Sequence, residues 1–264
     1  MHVSHTVAQW LERRRNLSGR TIGFVPTMGA LHRGHTSLVE RCRRENQTVA
    51  VSIFVNPSQF NDPRDLDRYP RTLDSDLALL RELGTDEVLL PSASDLYPQG
   101  YRCRIEAESL TGVMEGTHRP GFLQGVMTVV LKLLNLVRAD RAYFGEKDYQ
   151  QLKAITEMAA EFFIPTEIVG CATVRAESGL AESSRNVLLS AGARENAAVL
   201  FRTLTNAATP SAARLLLEAE GFAVDYVEEH WGRRFAAAFL DGVRLIDNVP
   251  LSRNGNGDGD AALP

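Results

Sequence analysis

Short continuous apolar runs alternate with amphipathic stretches along most of the chain. Thr21–Val25 (TIGFV) and Val49–Val55 (VAVSIFV) are rich in β-branched residues and lack polar alternation, as strands buried on both faces require. Thr36–Glu45 between them has helical spacing, which makes one βαβ unit, and Val7–Leu17 predicts a helix before it. Leu73–Leu83 predicts a helix that stops at Gly84, a residue free to take a left-handed backbone, and Glu87–Leu90 follows as a strand. Val126–Val137 (helix), Ala142–Phe144 (strand), Tyr149–Phe163 (helix) and Thr166–Val169 (strand) continue the alternation. The pattern predicts an α/β fold with a doubly wound, Rossmann-like parallel sheet covered on both faces.

From about Val174 the texture changes to a Ser/Gly/Glu-rich loop. Ala-rich helical stretches follow around Ala193–Thr205 and Ala212–Ala219, then strand-like Val224–Val227 and Val243–Ile246. We therefore expect residues 1–173 to form a Rossmann-like binding domain and 174–252 a smaller α+β C-terminal lid. Residues 253–264 (RNGNGDGDAALP) hold too little apolar surface to order themselves and are expected to be a flexible tail. The 264 residues suffice for a sizeable core. A formal net charge of -4 offers no global attraction to nucleic acid or anionic membranes. The first ten residues lack a signal-peptide apolar region and no apolar run reaches spanning length, so a cytoplasmic location is expected. Cys42, Cys103 and Cys171 are too few and too scattered for a disulfide framework or a zinc site.

The stretch PTMGALHRGH (Pro26–His35) falls on the first strand-to-helix turn, at the carboxyl edge where open α/β sheets bind ligands. Gly29 and Gly34 let backbone approach a ligand, and the following helix offers unsatisfied N–H groups to an anion. His32 and His35, about one turn apart, are placed to donate hydrogen bonds to phosphate oxygens, even as neutral imidazoles. Taken alone, a four-residue His-x-Gly-His is equally well read as a helix cap. FVNPSQF (Phe54–Phe60) emerges at the same edge, where Asn56 and Gln59 supply neutral amides for a carboxylate or hydroxyl; by itself Asn56 reads better as a turn cap. YFGEKDYQQL (Tyr143–Leu152) opens another helix with Lys147, Asp148 and Gln151. A lysine there opposes the helix dipole unless a phosphate is shared. ESSRN (Glu182–Asn186) adds two hydroxyls and a guanidinium suited to clamping phosphate.

These segments in this order, with DLDRYPRTL, Arg119–Gly121 (RPG), VMTVVLKLLNLV, GLAESSRN and, more thinly, DGVRLIDNV, resemble the pantoate–β-alanine ligase family of the HxGH nucleotidyltransferase superfamily. The resemblance is dense from Gly23 to Asn186. It implies an ATP-dependent, AMP-forming ligase: the pantoate carboxylate attacks the α-phosphorus of ATP, and β-alanine's amine attacks the resulting pantoyl adenylate to give pantothenate. By resemblance, His32, His35, Lys147, Ser183, Ser184 and Arg185 hold the phosphates, Gly145 and Asp148 the ribose, and Val174 lies with the nucleotide. Gln59 and Gln151 hold pantoate beside Met28, which also borders the nucleotide. Asn56 and Tyr69 lie near the incoming amine. Mg²⁺ accompanies ATP, with Asp76 as a metal ligand, and the protein is expected to be a homodimer.

The chain departs from the family pattern in several places. Phe122 and Leu123 stand where a histidine and an aromatic residue are usual, Glu182 replaces a methionine beside the phosphate-binding serines, and Ser75 replaces an aspartate between Asp74 and Asp76. The added carboxylate at Glu182 repels ATP unless it turns to solvent or meets a cation. Two further readings therefore stay open: a same-mechanism amide ligase for a different hydroxy acid or amine, and a catalytically silent nucleotide-binding relative. FVNPSQF and KDYQQ, features of the pantoate side, speak against a plain nucleotidyltransferase.

Overall fold

The structure is a computed structural model that describes residues 1–251; the tail expected at 253–264 lies outside the described residues. Strands His2–Ser4 (β1), Ile22–Thr27 (β2), Thr48–Ile53 (β3), Glu87–Leu89 (β4), Arg141–Gly145 (β5) and Glu167–Cys171 (β6) form one all-parallel sheet in the order β1-β4-β3-β2-β5-β6. Along the chain they are separated by helices Val7–Arg15 (α1), Arg33–Glu45 (α2), Pro63–Arg68 (α3), Leu73–Glu82 (α4), Ala93–Leu96 (α5), Glu108–Thr111 (α6), Met114–His118 (α7), Phe122–Val137 (α8) and Tyr149–Glu161 (α9). This is the doubly wound α/β fold that the alternating pattern predicts. The core on one face gathers Phe24, Leu123, Met127, Leu134 and Ile155; the other gathers Val25, Val39, Val51, Leu80 and Tyr143.

The order of strands reverses between β2 and β5, which makes the gap between their carboxyl ends the switch point of the sheet. The two strands are registered only at Gly23 with Arg141 and Phe24 with Ala142, whereas β2 stays paired with β3 as far as Thr27. Pro26 explains how a proline sits in a central strand: it falls beyond the last pair with β5, so its missing N–H breaks no ladder bond on that side. The parting strands leave a crevice, and α2 and α9 both begin at it. On the far side of β2, Gly23 has no room for a Cβ against Cys42 and Asn46, so α2 packs close to the sheet.

The C-terminal part adds helices Ala191–Asn206 (α10) and Pro210–Ala219 (α11) and an antiparallel sheet of Ala223–His230 (β7), Arg233–Leu240 (β8) and Val243–Pro250 (β9). Trp231–Gly232 and Asp241–Gly242 join its strands with positive φ at both residues of each pair, the primed turn that suits the twist of a hairpin. β8 (RRFAAAFL) was not visible in the hydrophobic pattern, because its alanines carry little strand propensity. Ala236, Ala237 and Ala238 are nonetheless fully buried, held by neighbours on both sides. β1, three residues long, was also missed.

A buried ionic cluster ties this sheet to α7. Glu115 accepts from Arg244 at 2.8 and 2.9 Å, from the Tyr226 hydroxyl at 2.9 Å and from Arg119 at 3.2 Å. Burial pushes the Glu115 carboxyl up, but the Arg244 hydrogen bond and charge more than offset it and hold it below the usual carboxylate range. Removing one partner of a buried cluster strands the rest without compensation. Glu115→Ala should therefore cost roughly 3–5 kcal/mol and lower Tm by about 10 °C, with Glu115→Gln losing less. A calorimetric Tm within about 2 °C of the parent would show that the cluster does not hold the small sheet to α7.

Candidate active site

The crevice widens into a cavity of about 950 Å³, the size that holds a nucleotide with small co-substrates. Its wall includes Met28, His32, His35, Asn56, Gln59, Tyr69, Gly145, Lys147, Asp148, Gln151, Val174, Ser183, Ser184 and Arg185. Of the residues singled out from the sequence, Asp76 is not on this wall.

α2 starts further back than its hydrophobic pattern indicates because the two histidines cap it. His32 is the N-cap residue, and its Nδ1 accepts from the Gly34 N–H at 3.1 Å; His35 Nδ1 accepts from the His32 N–H at 3.4 Å. A ring nitrogen that accepts carries no proton, so each neutral imidazole keeps its proton on Nε2 as a donor. The rings lie 4.1 Å apart at 48°. Glycine between them is required, since a Cβ at Gly34 would stand 2.8 Å from His32 Cε1. Burial, then the charge of Lys147, lowers His32 to about 4; burial, then the charges of His32 and Lys147, lowers His35 to about 3. Both are therefore neutral at physiological pH. The cap reading and the phosphate-donor reading of this motif are compatible, because they use opposite ring nitrogens.

Asp76 fixes the loop that leads into these histidines. It is buried on α4, and its carboxylate accepts from the Ala30 and Leu31 N–H groups, each at 2.9 Å, and from the Thr72 hydroxyl at 3.2 Å. Gly29, with φ +80°, turns the chain above it. Asp76 is buried, lies off the cavity wall and is taken up by these three donors, so it does not face a Mg²⁺ held with phosphates in the cavity. Ser75 faces away, donating to the Thr72 carbonyl. Among the described residues no group of three or more His, Cys, Asp or Glu side chains is placed to hold a metal.

Across the switch point, Glu146–Asp148 forms a 3-10 turn that leads into α9. Lys147 Nζ lies 3.8 Å from Asp148 Oδ1. Asn248 on β9 donates to the Glu146 and Lys147 carbonyls, both at 2.9 Å, so the small sheet holds the lysine turn in place. The neighbouring Asp247 forms a two-pronged pair with Arg175 at 2.6 and 2.9 Å. Neither Asn248 nor Arg175 was singled out from sequence, although both lie in or beside the family-like segments.

Ser183 caps a second 3-10 turn, Ser184–Leu188, by accepting from the Arg185 N–H at 3.3 Å. Tyr69 OH and Ser184 Oγ lie 3.2 Å apart, and Arg185 donates to Asp65 at 2.8 Å. Glu182 lies 3.9 Å from the Arg33 guanidinium, so the added carboxylate meets a cation. Of the other departures, Leu123 is fully buried in the core, and only Phe122 lines the cavity, with the Arg119 guanidinium 3.8 Å above its ring.

Gln59 Nε2 donates to Met28 Sδ at 3.2 Å, and Gln151 lines the same cavity. Asn56 is buried, and both Nδ2 hydrogens are used, on Gln59 Oε1 at 2.9 Å and the Gly125 carbonyl at 3.2 Å. It has no donor left for a substrate.

The model of the family described as Pantoate-beta-alanine ligase matches residues 1–250. A pantothenate synthetase of Bdellovibrio bacteriovorus is 50% identical over 238 residues, covering 90% of this chain and 94% of its own. One from Legionella pneumophila is 46% identical over 252 residues, covering 95% and 100%. The pantoate-beta-alanine ligase of Francisella tularensis, solved with beta-gamma ATP and beta-alanine, superposes with a TM-score of 0.91 at 40% identity, covering 95% of this chain and 97% of that one. The pantothenate synthetase structure from Thermus thermophilus gives 0.88 at 44% identity, with 95% and 99% covered.

The histidine geometry sets a pH response. An unfolded histidine binds a proton near pH 6.5, whereas folded His32 and His35 resist it down to about 4 and about 3. Below 6.5 the unfolded chain thus holds more protons. The stability these residues confer is complete above that pH and is lost as pH falls toward 4. Nitrogen-15 NMR of the free protein should show both rings as Nε2–H tautomers with no titration between about pH 5.5 and 7.5. A midpoint near 6.5 for either ring would refute the capping assignment.

Proposed function

The chain belongs to the pantoate-beta-alanine ligase family and is an ATP-dependent ligase, and from that premise we propose how its cavity joins pantoate to β-alanine. The observation that carries the reading is that one cavity wall gathers, from both sides of the switch point, the neutral imidazoles after β2, Lys147 after β5, and the Gln59 and Gln151 amides. Such an arrangement suits a carboxylate attacking a polyanion: the nucleophile is already ionised, so alignment and charge stabilisation rather than a base must lower the barrier.

In the first step a pantoate carboxylate oxygen bonds to the α-phosphorus of ATP and the bond to the β-phosphate bridging oxygen breaks, releasing pyrophosphate. His32 and His35 donate through Nε2 to phosphate oxygens without introducing full charges, and Lys147 supplies the positive charge. Ser183 and Ser184 add hydroxyl donors. Arg185 exchanges Asp65 for phosphate, trading one anion for a more highly charged one. Gly145, Asp148 and Val174 border the ribose and base. Gln59 and Gln151 hold pantoate beside Met28, with uncharged donors that bind the carboxylate without quenching its nucleophilicity.

In the second step the free amine of β-alanine attacks the acyl carbon of pantoyl adenylate. The carbon–oxygen bond to AMP breaks, and the amine loses its proton as the amide forms. Tyr69, buried on the wall against Ser184, borders the amine's path. Mg²⁺ bound with the triphosphate would offset its negative charge beside Lys147. The C-terminal unit, which contributes Asp241–Asp247 to the wall, serves as the lid. No described helix is long and apolar enough to cross a membrane; a cytoplasmic homodimer is part of this proposal and rests on family membership. With Leu123 in the core, Phe122 and Glu182, which both line the cavity, are the departures left to affect the choice of acid or amine.

Purified protein given ATP, Mg²⁺, pantoate and β-alanine should release AMP and pyrophosphate and form pantothenate, identified by mass. Lys147→Ala should slow adenylate formation about 10²–10³-fold, the scale of one preorganised donor. Gln59→Ala should raise the KM for pantoate while leaving ATP affinity unchanged. Near-normal adenylate formation in the lysine variant, or equal loss of acid and ATP binding in the glutamine variant, would overturn these assignments.

A further inference from the structure

Behind the pantoate side of the cavity lies a chain of hydrogen bonds that starts outside it. The Tyr97 hydroxyl donates to Asn56 Oδ1 at 2.8 Å; Asn56 Nδ2 donates to Gln59 Oε1 at 2.9 Å; Gln59 Nε2 then faces Met28 Sδ. Tyr97 is not on the cavity wall, so it does not touch a ligand there. Its ring is fixed by Lys132, whose ammonium sits 4.6 Å from the ring centroid and donates to the Leu96 carbonyl.

The direction of this chain is set by a group that cannot reverse. The Gly125 carbonyl on α8 only accepts, so the Asn56 atom 3.2 Å from it must be Nδ2, and the opposite oxygen must point to Tyr97 and the Ser58 hydroxyl. The second Nδ2 hydrogen requires an acceptor, which fixes Gln59 Oε1 toward Asn56. Only Nε2 is then left for the cavity. Position 125 must be glycine for this to work, since a Cβ there would collide with the Ser58 carbonyl.

We propose that Tyr97 is a positioning residue for the acid substrate: through Asn56 it holds the Gln59 amide with its donors toward the cavity, so that the site recognises a lone pair of the hydroxy acid. The proposal rests on the reading that Gln59 contacts pantoate. A hydroxyl on the acid is accordingly met at Gln59 through its oxygen, and an acid offering only a donor there is refused. Without the Tyr97 hydroxyl, Asn56 is held on that side by Ser58 alone, and the amide can rotate out of register.

The test is a double-mutant cycle with Tyr97→Phe, Gln59→Ala and the pair, measuring KM for pantoate and ATP, kcat, and Tm. Tyr97→Phe keeps the ring and its contact with Lys132. The expected result is a rise of about tenfold in the pantoate KM, with ATP KM and Tm unchanged. In the Gln59→Ala background the tyrosine change should add nothing. If Gln59→Ala raises the pantoate KM and Tyr97→Phe leaves it within about twofold, Tyr97 does not position the amide. The proposal also falls if the two effects multiply independently, or if ATP KM rises and Tm falls alongside the pantoate KM, a structural effect only. If Gln59→Ala leaves the pantoate KM unchanged, the reading of Gln59 itself fails and the proposal falls with it.

Discussion

An α-helix begins with N–H groups that have no partner within the helix, and α2 begins at the bottom of the crevice. The chain meets two of these needs with imidazole nitrogens, His32 Nδ1 on Gly34 and His35 Nδ1 on His32. That choice propagates outward. It fixes the tautomer of both rings, and the packing that accompanies it keeps them uncharged. It excludes any side chain at Gly34 and needs a rigid approach loop, which Asp76 supplies from α4. Donors without charge can coexist with Lys147 in a low-dielectric crevice, where three cations together would repel one another before ATP arrived.

The opposite side of the cavity is built by the same economy of polar groups. Asn56 is buried and spends its hydrogen bonds on the protein, so it orients Gln59 rather than meeting a ligand. Two structural devices bring the halves together: β2 and β5 part early, which opens the crevice, and β9 reaches back through Asn248 to hold the lysine turn. The ionic cluster around Glu115 anchors that small sheet against α7.

Apart from β1, the main sheet was legible because its strands are short apolar runs, β-branched in β2 and β3, and the helices between them are periodic. β8 was not, since RRFAAAFL carries neither signal; the Asp241–Gly242 turn was the available cue. The cavity residues could be read because open α/β sheets bind ligands at their carboxyl edge, which puts PTMGALHRGH, FVNPSQF and GEKDYQ in one place. What sequence cannot show is which atom of a side chain is already occupied. Asp76 looked like a metal ligand and is a loop cap. Asn56 lines the cavity, but both of its amide hydrogens are occupied by the protein, and Leu123, a departure from the family pattern, lies in the core. Asp76 is set by Ala30 and Leu31, and Asn56 by Gly125 and Tyr97 as well as by its neighbours, and such distant partners are beyond the reach of local pattern.

The central claim is that the acid's own carboxylate oxygen attacks the α-phosphorus. It is tested most directly by following that oxygen. Pantoate labelled with oxygen-18 in both carboxylate positions, turned over with ATP and β-alanine, should leave one labelled oxygen in AMP and one in the amide product. Labelled inorganic phosphate with ADP would mean attack at the terminal phosphorus. Unlabelled AMP would mean that no acyl adenylate forms, and either result would contradict the account.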